Sequence, residues 1–221
     1  MKLLLKTLIA FLLGMIITGA MLFLPAGTWD YPGAWLFMAL LFTPILLMGI
    51  VLMVKNPELL RKRLAMKERE KTQQGVVALS GLLLVASFIV AGIDYRFGWS
   101  HVSHGIVIIA SAVLLIGYAL YAEVLRENAY LSRIIEVQER QRVIDTGLYG
   151  IVRHPMYSAT VLLFLSMPLV LGSIPSFVIM LVYIPLIVKR IKNEETVLLD
   201  GLDGYDAYCK KVKYRLLPLV W

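Results

Sequence analysis

Six apolar runs set the terms for this chain: residues 3–24, 34–54, 76–93, 102–121, 156–171 and 176–188. The first four approach or reach the roughly 20 residues that a helix needs to cross a hydrocarbon core. In lipid every backbone group must be satisfied internally, which leaves helices and closed barrels. Barrel strands alternate apolar and polar residues with period two. Residues 76–90 and 106–120 are apolar on every side, so the sequence predicts helices. The composition agrees: 59% of residues are hydrophobic, against about 45–50% in soluble domains. The fold class expected is all-α, a polytopic transmembrane bundle of about six spans with loops and short helices on its cytoplasmic side. The last two runs are shorter and are separated by Gly172-Ser173-Ile174-Pro175, which predicts an antiparallel hairpin.

The first run follows Lys2 and Lys6. It is longer than the apolar core of a signal peptide, about 7–15 residues, and has no clear small-x-small cleavage site, so it is expected to be a retained helix. Basic residues collect on the cytoplasmic side of membrane proteins. Six spans put 21 of the 22 lysines and arginines on one side and leave Arg96 on the other. Both termini are therefore expected in the cytoplasm, in a bacterial-type inner or plasma membrane. The net charge of +7 is read as this sorting and not as a nucleic-acid surface. Arg61, Lys62 and Arg63 are expected to attract anionic lipid. Trp29, Trp35 and Trp99 are expected in the interfacial belt, and Pro168 and Pro185 to kink their helices.

A single cysteine, Cys209, excludes an internal disulfide and a multi-cysteine metal site. His101 and His104 lack further ligands nearby and are read as interfacial, so no metal is expected. The chain divides into residues 1–121, four spans facing substrate and lipid, and residues 122–221, the hairpin with its polar flanks. Those flanks are too polar to span and are expected to form short helices and ordered loops.

Chemistry concentrates at the two ends of the hairpin. Residues 147–157 hold Gly147, Leu148, Tyr149, Gly150, Arg153, His154, Pro155 and Tyr157. The glycines permit tight turns and close approach to a ligand. Pro155 suits the first turn of a helix. That places Arg153 and His154 at a helix amino end, where a carboxylate would be favoured. At the exit of the last span, Arg190 and Glu194 share a helix face, and Glu195 points partly away. Because the hairpin turn is short, the start of its first helix and the end of its second must lie side by side. The result is a mixed-charge pocket at the membrane edge.

Gly147-x-Tyr149-x-x-x-Arg153-His154-Pro155-x-Tyr157, then Arg190-x-x-x-Glu194-Glu195 and Tyr205-x-x-Tyr208, resembles the isoprenylcysteine carboxyl methyltransferase family. Its superfamily also includes phospholipid N-methyltransferases. The resemblance covers roughly residues 120–221, and the stretches 56–60 and 94–99 are similar to its bacterial branch. It implies S-adenosylmethionine bound without a Rossmann fold, consistent with a sequence that has no Gly-x-Gly-x-x-Gly after a strand. By the same resemblance, His154 and Tyr157 lie by the methionine carboxylate, with Arg153 and Pro155 in the same motif. Gly147, Leu148 and Tyr149 line the cofactor. Read from the residues themselves, Tyr205 and Tyr208 either close over the cofactor or belong to an amphipathic tail that packs on the head groups. Glu194 and Glu195 lie near the ribose or the reacting centre, and Arg190 near the substrate. Ala159 stands where relatives often carry glycine.

The implied function is methylation of a lipid-like or prenylated acceptor in the membrane, with carboxyl O-methylation first. An anionic acceptor needs only a clamp, for which Arg190 is suited. An amine acceptor would need a base, Glu194 or Glu195. Phospholipid N-methylation, an NADPH-dependent lipid or sterol reductase, and a non-enzymatic scaffold are the other readings.

Overall fold

The computed structural model describes residues 2–64, 71–128 and 141–221. Nine α-helices are present among them, and no strand. Five helices are long and apolar enough to cross a membrane, and their exposed leucines and isoleucines form the outer face. The protein is an integral membrane helical bundle.

Helix α1 (Lys2–Ala26) ends where Gly27, at φ +68°, turns the chain. Helix α2 (Pro32–Lys55) begins on a proline, whose missing N–H costs nothing in a first turn. It stops at Asn56, which the following Pro57 holds out of the helical region. Pro57 in turn opens α3 (Pro57–Leu64), a short helix that the apolar pattern did not announce. Helix α4 (Lys71–Phe97) runs back to the far end, and Gly98 closes it. Helix α5 (His104–Glu127) is capped by the Ser103 hydroxyl. The first four spans thus lie where expected, each longer by a few residues. The expected lipid contact of Lys62 and Arg63, and the middle of the first polar flank (residues 129–140), fall outside the described residues or side chains.

The hairpin departs from expectation in length. Helix α6 (Pro155–Val170) is an apolar helix of 16 residues, with Pro168 in its last turn and no break there. Its partner is not a short span but a 28-residue path, Ile174–Gly201. It comprises α7 (Ile174–Leu181) and α8 (Tyr183–Gly201), interrupted at Val182. Pro185 explains the break: it lacks the N–H that would bond Leu181, and its ring crowds that carbonyl. Arg190, Glu194 and Glu195 therefore sit within this helical path and not beyond its exit. Helix α9 (Tyr205–Lys211) follows.

Helix α5 packs most extensively on α6, α1 on α4, and α4 on α7. Gly92 sets the α1–α4 approach: a Cβ there would fall 2.5 Å from the Leu22 carbonyl oxygen. Ala159 is fully buried where α6 crosses α5, beside Gly117, so its small size serves helix packing. The hairpin turn is pinned from the far side. Tyr31 donates to the Leu171 carbonyl at 2.7 Å, and buried Asp94 accepts from the Ser100 amide and hydroxyl. The Ser100 hydroxyl in turn accepts from the Ile174 amide, and Ser87 meets Ser176 at 2.6 Å. With the turn tied to α4, to the residue before α2 and to the loop after α4, α6 and α8 reach the basic end in fixed register. Trp29, Trp35 and Trp99 lie exposed toward the opposite end.

Candidate functional site

At the basic end, α6 begins and α8 passes beside it, as the hairpin argument requires. Arg153 donates through Nε to Glu195 Oε1 at 2.8 Å, and His154 Nε2 lies 3.2 Å from the same oxygen. Arg215, from the C-terminal tail, donates to the other oxygen at 2.8 Å. Arg153, His154 and Glu195 are all buried. An ionised carboxylate only accepts, so Glu195 takes all three donors.

The tail completes this corner. The Arg153 and His154 amides donate to the carbonyls of Tyr214 (2.8 Å) and Arg215 (2.9 Å). Arg153 Nη1 reaches the Val212 carbonyl at 3.0 Å, and the Ser158 hydroxyl the Leu216 carbonyl at 2.6 Å. The tail folds back on itself, with the Arg215 guanidinium over the Trp221 ring. The sequence left these two amides open to an incoming anion. The structure closes them with tail carbonyls, and the carboxylate that the corner receives is the chain's own.

One turn along α6 the chemistry differs. The Tyr157 hydroxyl donates to Glu194 Oε2 at 2.5 Å and accepts from Arg190 Nε at 2.9 Å. Tyr157 and Arg190 are buried, while Glu194 is half-buried. Arg190 and Glu194 do share a face of α8, with a phenol placed between them. The adjacent glutamates thus have separate surroundings: Glu195 is enclosed by three donors, and among the described residues Glu194 is reached by Tyr157 and by solvent. Next to it, the Asn193 side-chain nitrogen is buried with no hydrogen-bond partner among the described residues. A buried donor in that state costs about 1–3 kcal/mol, a cost that a polar group with an acceptor would remove.

The glycine turn leads into this corner and is tied to α5 and α9. Residues 147–150 make a single 3-10 turn with Gly147 at φ +53°, a region that disfavours side chains. The Glu127 carboxylate accepts from the Leu148 amide at 3.0 Å and fills the space where a Gly147 side chain would begin. Asn128 donates to the Tyr149 hydroxyl and Tyr208 to the Tyr149 carbonyl, each at 2.8 Å. Lys211 pairs with Asp145 at the entrance to the turn. Burial pushes the Tyr205 and Tyr208 phenols above their ordinary range, so both stay neutral at pH 7. Burial also raises the Cys209 thiol beside them. Tyr205 and Tyr208 pack on one another with Leu202 and Val212.

The expected residues therefore gather at one end of the bundle in two groups. Tyr157, Arg190 and Glu194 face one another, and the turn that carries Leu148 and Tyr149 is bonded to Tyr208. Arg153, His154, Pro155 and Glu195 are buried at the joint between α6, α8 and the tail. Sequence reasoning missed Glu127, Asn128, Asn193 and Arg215. Glu127 and Asn128 were legible only as a polar end to α5. Arg215 was one basic residue of seven in the tail. Among the described residues no cluster of three or more histidine, cysteine, aspartate or glutamate side chains suits a metal.

Residues 101–201 match the family model of the phospholipid methyltransferases, known as PEMT. The matched stretch runs from the start of α5 to the end of α8 and contains the glycine turn, α6 and the Arg190–Glu195 segment, but not α9 or the tail. The match supports a membrane methyltransferase. No curated protein matches the chain.

Proposed function

We propose that the protein is an S-adenosylmethionine-dependent methyltransferase that acts on a lipid-like acceptor within the membrane, by carboxyl O-methylation. The observation that carries this reading is the Arg190–Tyr157–Glu194 group, held beside a glycine turn where α6 enters the bundle. The cofactor supplies, when bound, a methyl group on a sulfonium that departs as a neutral thioether. The protein's part is then to hold two partners in line and to place charge.

Gly147, Leu148 and Tyr149 would hold the cofactor from one side, and Asn193 and Glu194 from the other, where the buried Asn193 amide would gain an acceptor. Tyr157 lies beside Arg190 and Glu194, while His154 acts from the joint, through Glu195, with Tyr205 and Tyr208 on the short helix that follows. Arg190 orients an acceptor carboxylate by its guanidinium. Arg153, Pro155 and Glu195 act by position: they fix the start of α6 against α8 and the tail. The basic end faces the cytoplasm in this reading, with the lipophilic acceptor entering from the inner leaflet and anionic lipid around the rim.

A second reading, phospholipid N-methylation, is favoured by the name of the matched family. An ammonium acceptor must first lose a proton, and half-buried Glu194 would take it.

Incubation of the purified protein in nanodiscs with methyl-tritiated S-adenosylmethionine and a total lipid and membrane-protein extract separates the two. O-methylation gives label that base releases as methanol, whereas N-methylation gives base-stable label in head groups. Arg190→Ala should lose acceptor use while S-adenosylmethionine still binds in equilibrium dialysis. Absence of S-adenosylmethionine binding by the unaltered protein, or binding of NADPH in its place, would overturn the assignment.

A further inference from the structure

Residues 215–221 form a small closed loop. The amides of Arg215, Leu216 and Leu217 converge on the Trp221 carbonyl at 2.8, 2.9 and 3.2 Å, and the Trp221 amide returns to the Leu217 carbonyl. Leu219 at the tip has φ +67°, a left-handed conformation that is costly for a residue with a Cβ. Four consecutive apolar residues, Leu217, Pro218, Leu219 and Val220, are exposed there, with Leu219 85% and Val220 75% accessible. A run of this kind is unfavourable in water and marks a contact surface. The other side of the loop is packed: Leu216 and Trp221 lie against the buried cluster that holds Tyr157, Ile187 and Ile191.

The tail reaches this loop by descending beside α6. The Tyr214, Arg215 and Leu216 carbonyls meet, in turn, the Arg153 amide, the His154 amide and the Ser158 hydroxyl. The step from His154 to Ser158 is about 6 Å of helix, and α6 carries no charged side chain. The loop is thus set one turn down an apolar helix of the bundle. On α8, Ile184 lies one turn from Ile187 and is exposed on the outer face. The run that leads to the loop carries Lys210, Lys211 and Lys213, all exposed, which suits a leaflet with anionic head groups. Arg215 joins the loop to the candidate site. Its guanidinium lies over the Trp221 ring, and its Nε donates to Glu195 at 2.8 Å. A shift of the loop therefore disturbs the carboxylate that also holds Arg153 and His154.

We propose that the 215–221 loop is a clasp seated in lipid: its Leu217–Val220 tip lies at the boundary of head groups and acyl chains, and this seating keeps Arg215 on Glu195. An apolar tip behind a cationic run fits that boundary. The depth of the loop along α6 and its place beside the outer face of α8 select the bilayer over a soluble partner or a second copy of the chain. The leaflet then takes part in holding the joint between α6, α8 and the tail. The lipid contact is independent of what the site does, and its effect on methyl transfer rests on the methyltransferase reading.

The test uses the full chain in nanodiscs of phosphatidylcholine and phosphatidylglycerol. A nitroxide on Leu219→Cys, in a Cys209→Ser background, should collide more often with oxygen than with a water-soluble nickel chelate. A nitroxide on Ile108→Cys, exposed on the apolar α5, sets the lipid standard. One on Ala207→Cys, exposed on α9, should show the reverse order. Preference for nickel at position 219 would put the tip in water, and shielding from both probes would put protein over it; either overturns the proposal. Leu219→Asn tells lipid from water by sign, because asparagine tolerates the left-handed backbone but is costly to remove from water. In lipid it should speed exchange of the Arg153 and His154 amides about fivefold and lower methyl incorporation by a similar factor. Leu219→Met, which stays apolar, should keep both near their original values. Unaltered or slower exchange in Leu219→Asn would overturn the clasp. Loss of S-adenosylmethionine binding by the unaltered protein would instead strike the enzymatic reading, while the nitroxide and exchange measurements still judge the loop.

Discussion

Two adjacent glutamates offer a direct test of how the site is built. Glu195→Ala leaves the buried Arg153 and His154 facing an empty space where one carboxylate had served both. Removing one member of a buried ion pair costs about 3–5 kcal/mol. Arg215 is a third exposed, so its share falls toward the ~0–1 kcal/mol of a surface pair. Arg153 also retains its bonds to tail carbonyls, which places the cost near the lower bound, about 3 kcal/mol. The loss falls on the joint between α6, α8 and the tail. Opening of that joint exposes the Arg153 and His154 amides, which bond Tyr214 and Arg215. Hydrogen exchange read by mass spectrometry should show these two amides exchanging about 100-fold faster, since 1.4 kcal/mol is a factor of ten. Glu194→Ala removes a single hydrogen bond from Tyr157, worth about 1 kcal/mol. The same amides should then change by less than tenfold, while methyl transfer is lost. Equal exchange in both variants, or a quiet Glu195→Ala, would refute the division of labour.

Gly147→Ala should weaken S-adenosylmethionine binding through two causes, a left-handed backbone cost of about 1–2 kcal/mol and a collision with Glu127. Glu127→Gly in the same chain relieves only the collision, so a double-mutant cycle on the dissociation constant should give a coupling of about 1–2 kcal/mol. Strict additivity would show that the two do not meet. At the α1–α4 contact, Gly92→Ala should destabilise the bundle by about 1–3 kcal/mol, because the new methyl meets the Leu22 carbonyl. Gly81→Ala on the same helix meets nothing within 4 Å. It should be neutral or slightly stabilising in the same detergent melt.

The apolar runs made the first four helices legible, because lipid leaves a segment little choice but helix. The hairpin was legible from the Gly172–Pro175 turn, and with it the meeting of residues 153–157 with residues 190–195 across nearly 40 positions. Hydropathy could not show that α8 continues past Val188, since a lysine and arginine on a helix look the same to a hydropathy window as a helix end. The separation of Glu194 from Glu195 was also hidden. Their 100° difference around the helix was readable, but Arg215, which captures one of them, comes from an irregular tail with no periodic signal. Glu127 is a similar case: its partner is the backbone of a turn 21 residues away, and spacing carries no trace of a side chain that answers to an amide.

The 16 residues of α6 reach about 24 Å at 1.5 Å each, short of a hydrocarbon core about 30 Å thick. No residue of α6 is exposed, so helices and not lipid surround it. Its polar amino end therefore lies within the depth that the 24-residue α5 beside it spans. A reacting group on a membrane lipid would meet the buried arginine at that depth without pulling its chain out of the leaflet.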